Sequence, residues 1–111
     1  LTTSSAASDV YKRQGPLNRY RAQEIDFADL AEFKDQKLKQ PAAFITGSLD
    51  PVNFFVGSGY KDTMDLKNQI EDRYENLLAV ELIDGVGHWV QEEKSQETNE
   101  FLLNFLEAVK R

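Results

Sequence analysis

Two residues of this 111-residue chain have the type and placement to do acid–base chemistry together. Asp50 stands in Gly47-Ser48-Leu49-Asp50-Pro51-Val52 and His88 in Gly85-Val86-Gly87-His88-Trp89, each just beyond a short apolar run. A carboxylate that accepts one imidazole N–H fixes the tautomer and steadies the charged ring, leaving the other nitrogen free as a general base. Glycines at 85 and 87 permit the tight backbone path that would aim the ring. Singly, each residue has a plainer reading: an Asp before proline forms turns, and a solitary histidine is usually a satisfied surface or core residue. Shared context lifts the pair above that, since both follow an expected strand and both lie beside glycine turns.

Those elements can be read from the patterning. Pro41-Ala42-Ala43-Phe44-Ile45-Thr46-Gly47 is a short apolar run with β-branched and aromatic members, opened by a proline that can begin a strand but not continue one, and it reads as a buried strand. Leu78-Ala79-Val80-Glu81-Leu82-Ile83 reads as a second strand, closed by an Asp84-Gly85 turn. Between them, residues 60–74 are polar with apolar marks at Met64, Leu66 and Ile70, the pattern of a surface helix lying on a sheet. Thr98, Phe101, Leu102, Phe105, Leu106 and Val109 fall on one helical face, with Ser95 placed to cap that helix and Lys110 and Arg111 at its negative end. Strand, helix, strand, helix implies a parallel pair with a right-handed connection, half of a doubly wound α/β sheet. Asp50 and His88 then lie at the carboxyl edge, where loops from successive strands converge and ligands bind. Two strands cannot close a core, so further sheet preceding this segment is a physical expectation.

The remainder of the chain is less patterned. Residues 16–40 are charged, with Ile25, Leu30, Phe33 and Leu38 spaced for one or two short helices. Residues 1–14, rich in Ser, Thr and Ala, show no period and are expected to be a non-native or disordered leader; Ser4 to Gln14 resembles translated adaptor sequence. Hydrophobic residues make up 41% and charged residues 29%, which suits a globular chain and not a disordered one. The net charge of −6, with 11 basic against 18 acidic residues once 1–14 are set aside, argues against nucleic acid or an anionic membrane surface as partner. No apolar run approaches the roughly 20 residues of a membrane span. The lack of cysteine excludes disulfides, thiolate nucleophiles and zinc–thiolate sites, and leaves the compartment undetermined with the cytoplasm as default.

The stretch Phe44 to Val52, the segment Gly85-Val86-Gly87-His88-Trp89-Val90-Gln91 and the final helix resemble the end of α/β-hydrolases of the epoxide hydrolase group. Acid before histidine is also the chain order of that fold. Gly15-Pro16-Leu17-Asn18-Arg19-Tyr20-Arg21 is similar to the group's cap-domain motif, with Arg19 departing from the aromatic usual there. The resemblance implies that residues 15–39 end a helical cap and residues 40–111 form the C-terminal part of an α/β-hydrolase core. It implies Asp50 as the orienting acid, His88 as the base that activates water, and Tyr20 as the phenol that supports the epoxide oxygen as it becomes an alkoxide. The nucleophile would be an Asp preceding this segment, opening the epoxide to an alkyl-enzyme ester that water hydrolyses to a vicinal diol, without metal or organic cofactor. The chain by itself would be inactive. Trp89, Phe54 and Phe55 are candidates to line a pocket for a small apolar substrate. Acid and histidine alone leave open a haloalkane or haloacid dehalogenase, a Ser esterase of the same fold, or a non-catalytic α/β-hydrolase-like interaction module. Oligomeric state is not legible.

Overall fold

In the computed structural model, which describes residues 3–55 and 57–110, the chain divides into two compact units, Leu1–Gln36 and Lys37–Arg111. The second unit is α/β. Its strands β1 (Ala42–Gly47) and β2 (Leu77–Ile83) form a two-stranded parallel sheet, running from Ala42 opposite Leu77 to Gly47 opposite Ile83 with an irregularity after Ala42. Pro41 precedes β1, where its missing N–H costs the ladder nothing. Pairing starts earlier still, since the Leu38 N–H donates to the Arg73 carbonyl at 2.9 Å and the Glu75 N–H to the Leu38 carbonyl at 2.8 Å. The parallel pairing expected from the order of elements is present. The expected burial of β1 is only partial: Thr46 and Gly47 are buried, and residues 42–45 are half-buried. With β2 as its one neighbour among the described residues, β1 has a partner on a single edge.

Between the strands lie α3 (Val52–Phe55), α4 (Thr63–Ile70) and a short 3-10 turn, Glu71–Arg73. Asp62, in extended backbone, caps α4 by accepting from the Asp65 N–H at 2.8 Å, satisfying one free donor of the first turn. Leu66 and Ile70, four apart, share the helix face packed toward β2, and Leu66 is fully buried. Met64, expected on that face, is 63% exposed, because two residues of helix rotate a side chain to the far side. The Thr63 hydroxyl accepts from the Leu82 N–H at 3.1 Å, tying the start of α4 to β2.

After β2 come α5 (Val90–Glu93) and α6 (Ser95–Lys110). Ser95, expected as the cap, is instead the first residue of α6; the preceding Lys94 carbonyl accepts from the Thr98 N–H at 2.9 Å. The Thr98 hydroxyl, buried at the junction, reaches the Lys94 carbonyl at 2.8 Å and the Val90 carbonyl at 3.1 Å and so joins the two helices. α6 packs on β2 with Phe101 and Phe105 half-buried, while Leu102, Leu106 and Val109 of the same expected face are exposed. Arg111, the last residue expected at that helix end, lies outside the described residues. Among the described residues of this unit the buried large apolar side chains are Leu66, Ile70, Val86 and Val90.

The first unit contains α1 (Thr3–Arg21), α2 (Gln23–Asp29) and a 3-10 turn, Ala31–Phe33. Residues 3–14, read from the sequence as lacking any period, are helical; Leu1 and Thr2 lie outside the described residues. Ala6, Ala7, Lys12, Arg13 and Gln14 favour helix locally, although Ser, Thr, Asp and Val around them do not. Pro16 sits inside α1 and contributes no N–H to it. Two helical pieces follow one another over 23–33, as the spacing of Ile25, Leu30 and Phe33 suggests, with those three side chains exposed.

Candidate active site

The site is built where the two strands end. Beyond β1 the ladder continues, the Ser48 N–H donating to the Ile83 carbonyl and the Leu49 N–H to the Val86 carbonyl, each at 2.9 Å. Gly85 adopts φ +71°, a left-handed turn that glycine enters without strain, and its N–H donates to the Ser48 hydroxyl oxygen at 2.8 Å. That hydroxyl in turn donates to Asp84 Oδ1 at 3.1 Å. The loop carrying the histidine therefore folds back over the end of β1. Gly47 lies beneath the crossing, where a Cβ would fall on the carbonyl groups of Val86 and Gly87.

This crossing brings Asp50 and His88 together, with Asp50 Oδ2 and His88 Nδ1 2.9 Å apart. Asp50 is 6% exposed. Its Oδ1 accepts from the Val52 N–H at 2.9 Å, a turn that leads directly into α3, and the Thr46 hydroxyl lies 3.5 Å from Oδ2. Burial pushes the Asp50 carboxyl up, but the Val52 N–H, the hydrogen bond and charge of His88 and the Thr46 hydroxyl together hold it below its ordinary value. Buried Asn53 braces the same corner, its Nδ2 donating to the Gly47 carbonyl at 3.0 Å and to Thr46 Oγ1 at 3.3 Å. The His88 side chain is 50% exposed. With its proton on Nδ1 and directed at the carboxylate, Nε2 presents a lone pair as a general base.

Of the other candidates, Trp89 adjoins the pair, its ring edge-on to the imidazole with centroids 5.2 Å apart, and it is 58% exposed. Phe54 and Phe55 lie on α3 in exposed positions, with the Phe54 ring against Gly59. Tyr20 lies on α1, in the first unit, and is exposed. The structure thus joins Asp50, His88 and Trp89.

Four supporting residues escape a reading by motif: Thr46, Asn53, Ser48 and Glu93. The acidic run Glu92-Glu93 with Glu97 reads from the sequence as a solvated face and helix start; Glu93 is exposed, and its two carboxylate oxygens also accept from the Gly87 N–H at 3.2 and 3.1 Å, while Glu97 pairs on the surface with Lys94 at 3.3 Å. A sequence signal exists only for Thr46 and Asn53, polar positions flanking an Asp at a strand end, where a buried carboxylate needs donors.

No family model and no solved structure matches the chain. Among curated proteins, it is 38% identical over 95 residues to Epoxide hydrolase B of Mycobacterium tuberculosis, an overlap of 83% of this chain and 24% of that protein. It is 38% identical over 95 residues to Epoxide hydrolase of Caballeronia sordidicola, covering 86% of this chain and 27% of that protein. Epoxide hydrolase A of Mycobacterium tuberculosis is 34% identical over 92 residues, with 83% and 26% covered. The chain spans about a quarter of the length of the curated relatives it matches.

Proposed function

We propose that these residues are the C-terminal part of an α/β-hydrolase-fold enzyme that converts epoxides to vicinal diols. The observation that carries the reading is the 2.9 Å contact between His88 Nδ1 and buried Asp50 at the carboxyl ends of two parallel strands, in a chain similar to proteins named epoxide hydrolase. In this reading a carboxylate from a preceding segment attacks one epoxide carbon. The C–O bond breaks, and the ring oxygen takes a proton from the Tyr20 phenol as it leaves. His88 Nε2 then removes a proton from water, and the resulting hydroxide attacks the carbonyl carbon of the alkyl-enzyme ester. The ester C–O bond breaks, the proton of the carboxylic acid so released passes to the departing alkoxide to complete the diol and restore the carboxylate, and the proton held by His88 returns through solvent to the Tyr20 phenolate. Asp50 stays ionised throughout, and the donors of Val52 and Thr46 support that state. Residues 15–39 would belong to the cap and Trp89, Phe54 and Phe55 to the pocket wall.

The test is to incubate the full-length parent protein with styrene oxide and other epoxides, using His88→Gln as control. Diol formation that falls by about 10³-fold or more in the variant is the expected result, the scale of losing a base that acts as a unit with its partner. Halide release from a haloalkane with no diol from any epoxide would move the protein to the dehalogenases, and ester cleavage alone to the Ser esterases.

A further inference from the structure

The segment that delivers His88 is tethered residue by residue. Gly85 is held through its N–H by Ser48, Val86 through its carbonyl by the Leu49 N–H and through its buried side chain, and His88 through its ring by Asp50. All of these tethers come from the β1 side of the site. Gly87, immediately before the histidine, is held instead by a residue that follows it in the chain, its N–H donating to both carboxylate oxygens of Glu93 at 3.2 and 3.1 Å. Glu93 closes α5, the short helix that the chain enters directly after Trp89, so His88 and Trp89 are bracketed between a carboxylate and the amide it holds. The contact is close: a Cβ on residue 87 would sit 2.9 Å from Glu93 Oε1, so the carboxylate would have to shift to admit it.

We propose that Glu93 is a positioning residue for His88: by fixing the Gly87 N–H it sets the backbone from which the imidazole reaches Asp50. The inference rests on the reading of Asp50 and His88 as a working pair. An imidazole aims by its backbone and two side-chain torsions, and a shift of about 1 Å at the supporting shell is enough to cost a site its geometry. A bond from one amide to a carboxylate is charge-assisted and directional, so Glu93 can hold that backbone where neutral contacts would let it drift.

His88 is the single histidine of the chain, which gives a direct measurement. Imidazole ¹⁵N spectra of the 111-residue protein, recorded where the ring is neutral, report the fraction of the ring carrying its proton on Nδ1. The bond to Asp50 favours that form, whereas a free imidazole in water favours the proton on Nε2. Glu93→Ala is expected to shift the population toward Nε2–H and to move the Gly87 amide resonance, with amides of β1 and β2 in place. Glu93→Gln, whose amide oxygen still accepts from Gly87, is expected to keep most of the Nδ1–H form. If Glu93→Ala loses the sheet resonances, Glu93→Asp, a methylene shorter, is measured in a stabilising osmolyte and is expected to show the same tautomer shift. An unchanged tautomer population in whichever of these two variants retains its sheet amides overturns the proposal. Asp50→Asn separates this inference from the reading beneath it. If Asp50→Asn leaves the tautomer unchanged, the acid–histidine pair itself fails and the inference with it; if Asp50→Asn shifts the tautomer and Glu93→Ala does not, Glu93 alone is wrong.

Discussion

At the scale of single residues, the site is a buried carboxylate with both oxygens hydrogen-bonded. Asp50 faces Val52, His88 and Thr46, and Asn53 fills the space behind, so the negative charge sits in a protein corner stabilised by donors and not by bulk water. This makes the pair a term in stability as well as in chemistry. The folded-state pKa of Asp50 lies below the ordinary value of an aspartate, so the folded form gains from an ionised Asp50 above that ordinary value and loses the gain as pH falls through the lower, folded one. Asp65, held low first by the Lys61 N–H, and Glu97, held low first by its own backbone N–H, contribute in the same direction, so the wild-type curve alone cannot isolate the term. The difference between wild type and Asp50→Asn can. Urea midpoints measured from about pH 6 down to about pH 2 should differ most at the upper end and converge toward the acid end. A gap that stays constant across the range would mean that Asp50 is not stabilised as an anion. The positions of Asp50 and His88 were legible because each follows an apolar run and stands beside glycine. Thr46 and Asn53 carry only the weak signal of polar positions flanking that Asp, and Glu93 carries none, because bonds closed across a loop leave neither a helical nor a strand period in the chain.

At the scale of elements, the carboxyl ends of β1 and β2 matter more than their lengths. Periodicity and turn residues located both strands, α4 and α6 within a few positions, since each buries or half-buries a continuous apolar set. The four-residue helices α3 and α5 were not legible, being too short to show a period, although they carry Asn53 and Glu93. α1 was missed for a different reason: Ser, Thr, Asp, Gly15 and Pro16 are weak helix formers, and its apolar residues mark no helical period. The element-level feature most open to test is the crossing at Gly47, where the His88 loop runs against bare backbone. A methyl group there meets two carbonyl groups and no flexible side chain, so relief requires moving the loop. Gly47→Ala should therefore destabilise the fold by about 1–3 kcal/mol, the usual scale of overpacking, and should separate the Asp50–His88 pair. Chemical denaturation gives the first quantity and the imidazole ¹⁵N tautomer the second. A variant as stable as wild type with its Nδ1–H form intact would show that the loop does not depend on this approach.

At the scale of the whole molecule, chemistry and stability part company. Within residues 37–111 the acid–histidine pair is assembled in detail, yet among the described residues the buried large apolar side chains are only Leu66, Ile70, Val86 and Val90, and Leu102, Leu103 and Leu106 of α6 stay exposed. Among the described side chains of residues 12–36 none is buried. The outer edge of β1 carries no partner strand among the described residues. In the proposed reading, a preceding sheet completes this edge and supplies the nucleophile, so the 111 residues in isolation should be inactive toward epoxides and only marginally stable. Intact domains hold about 5–15 kcal/mol against unfolding. This chain should hold less than about 3 kcal/mol, with a shallow dependence on denaturant, because little surface is removed from water. Leu66 makes the expectation sharp. Truncating a fully buried leucine to alanine costs about 2–5 kcal/mol, as much as the entire predicted stability, so Leu66→Ala should leave the isolated chain unfolded at 25 °C by circular dichroism. A cooperative urea transition of 5 kcal/mol or more in wild type, or a folded Leu66→Ala, would show that residues 37–111 form a self-sufficient domain, and would remove the structural reason for assigning the missing nucleophile to a preceding sheet.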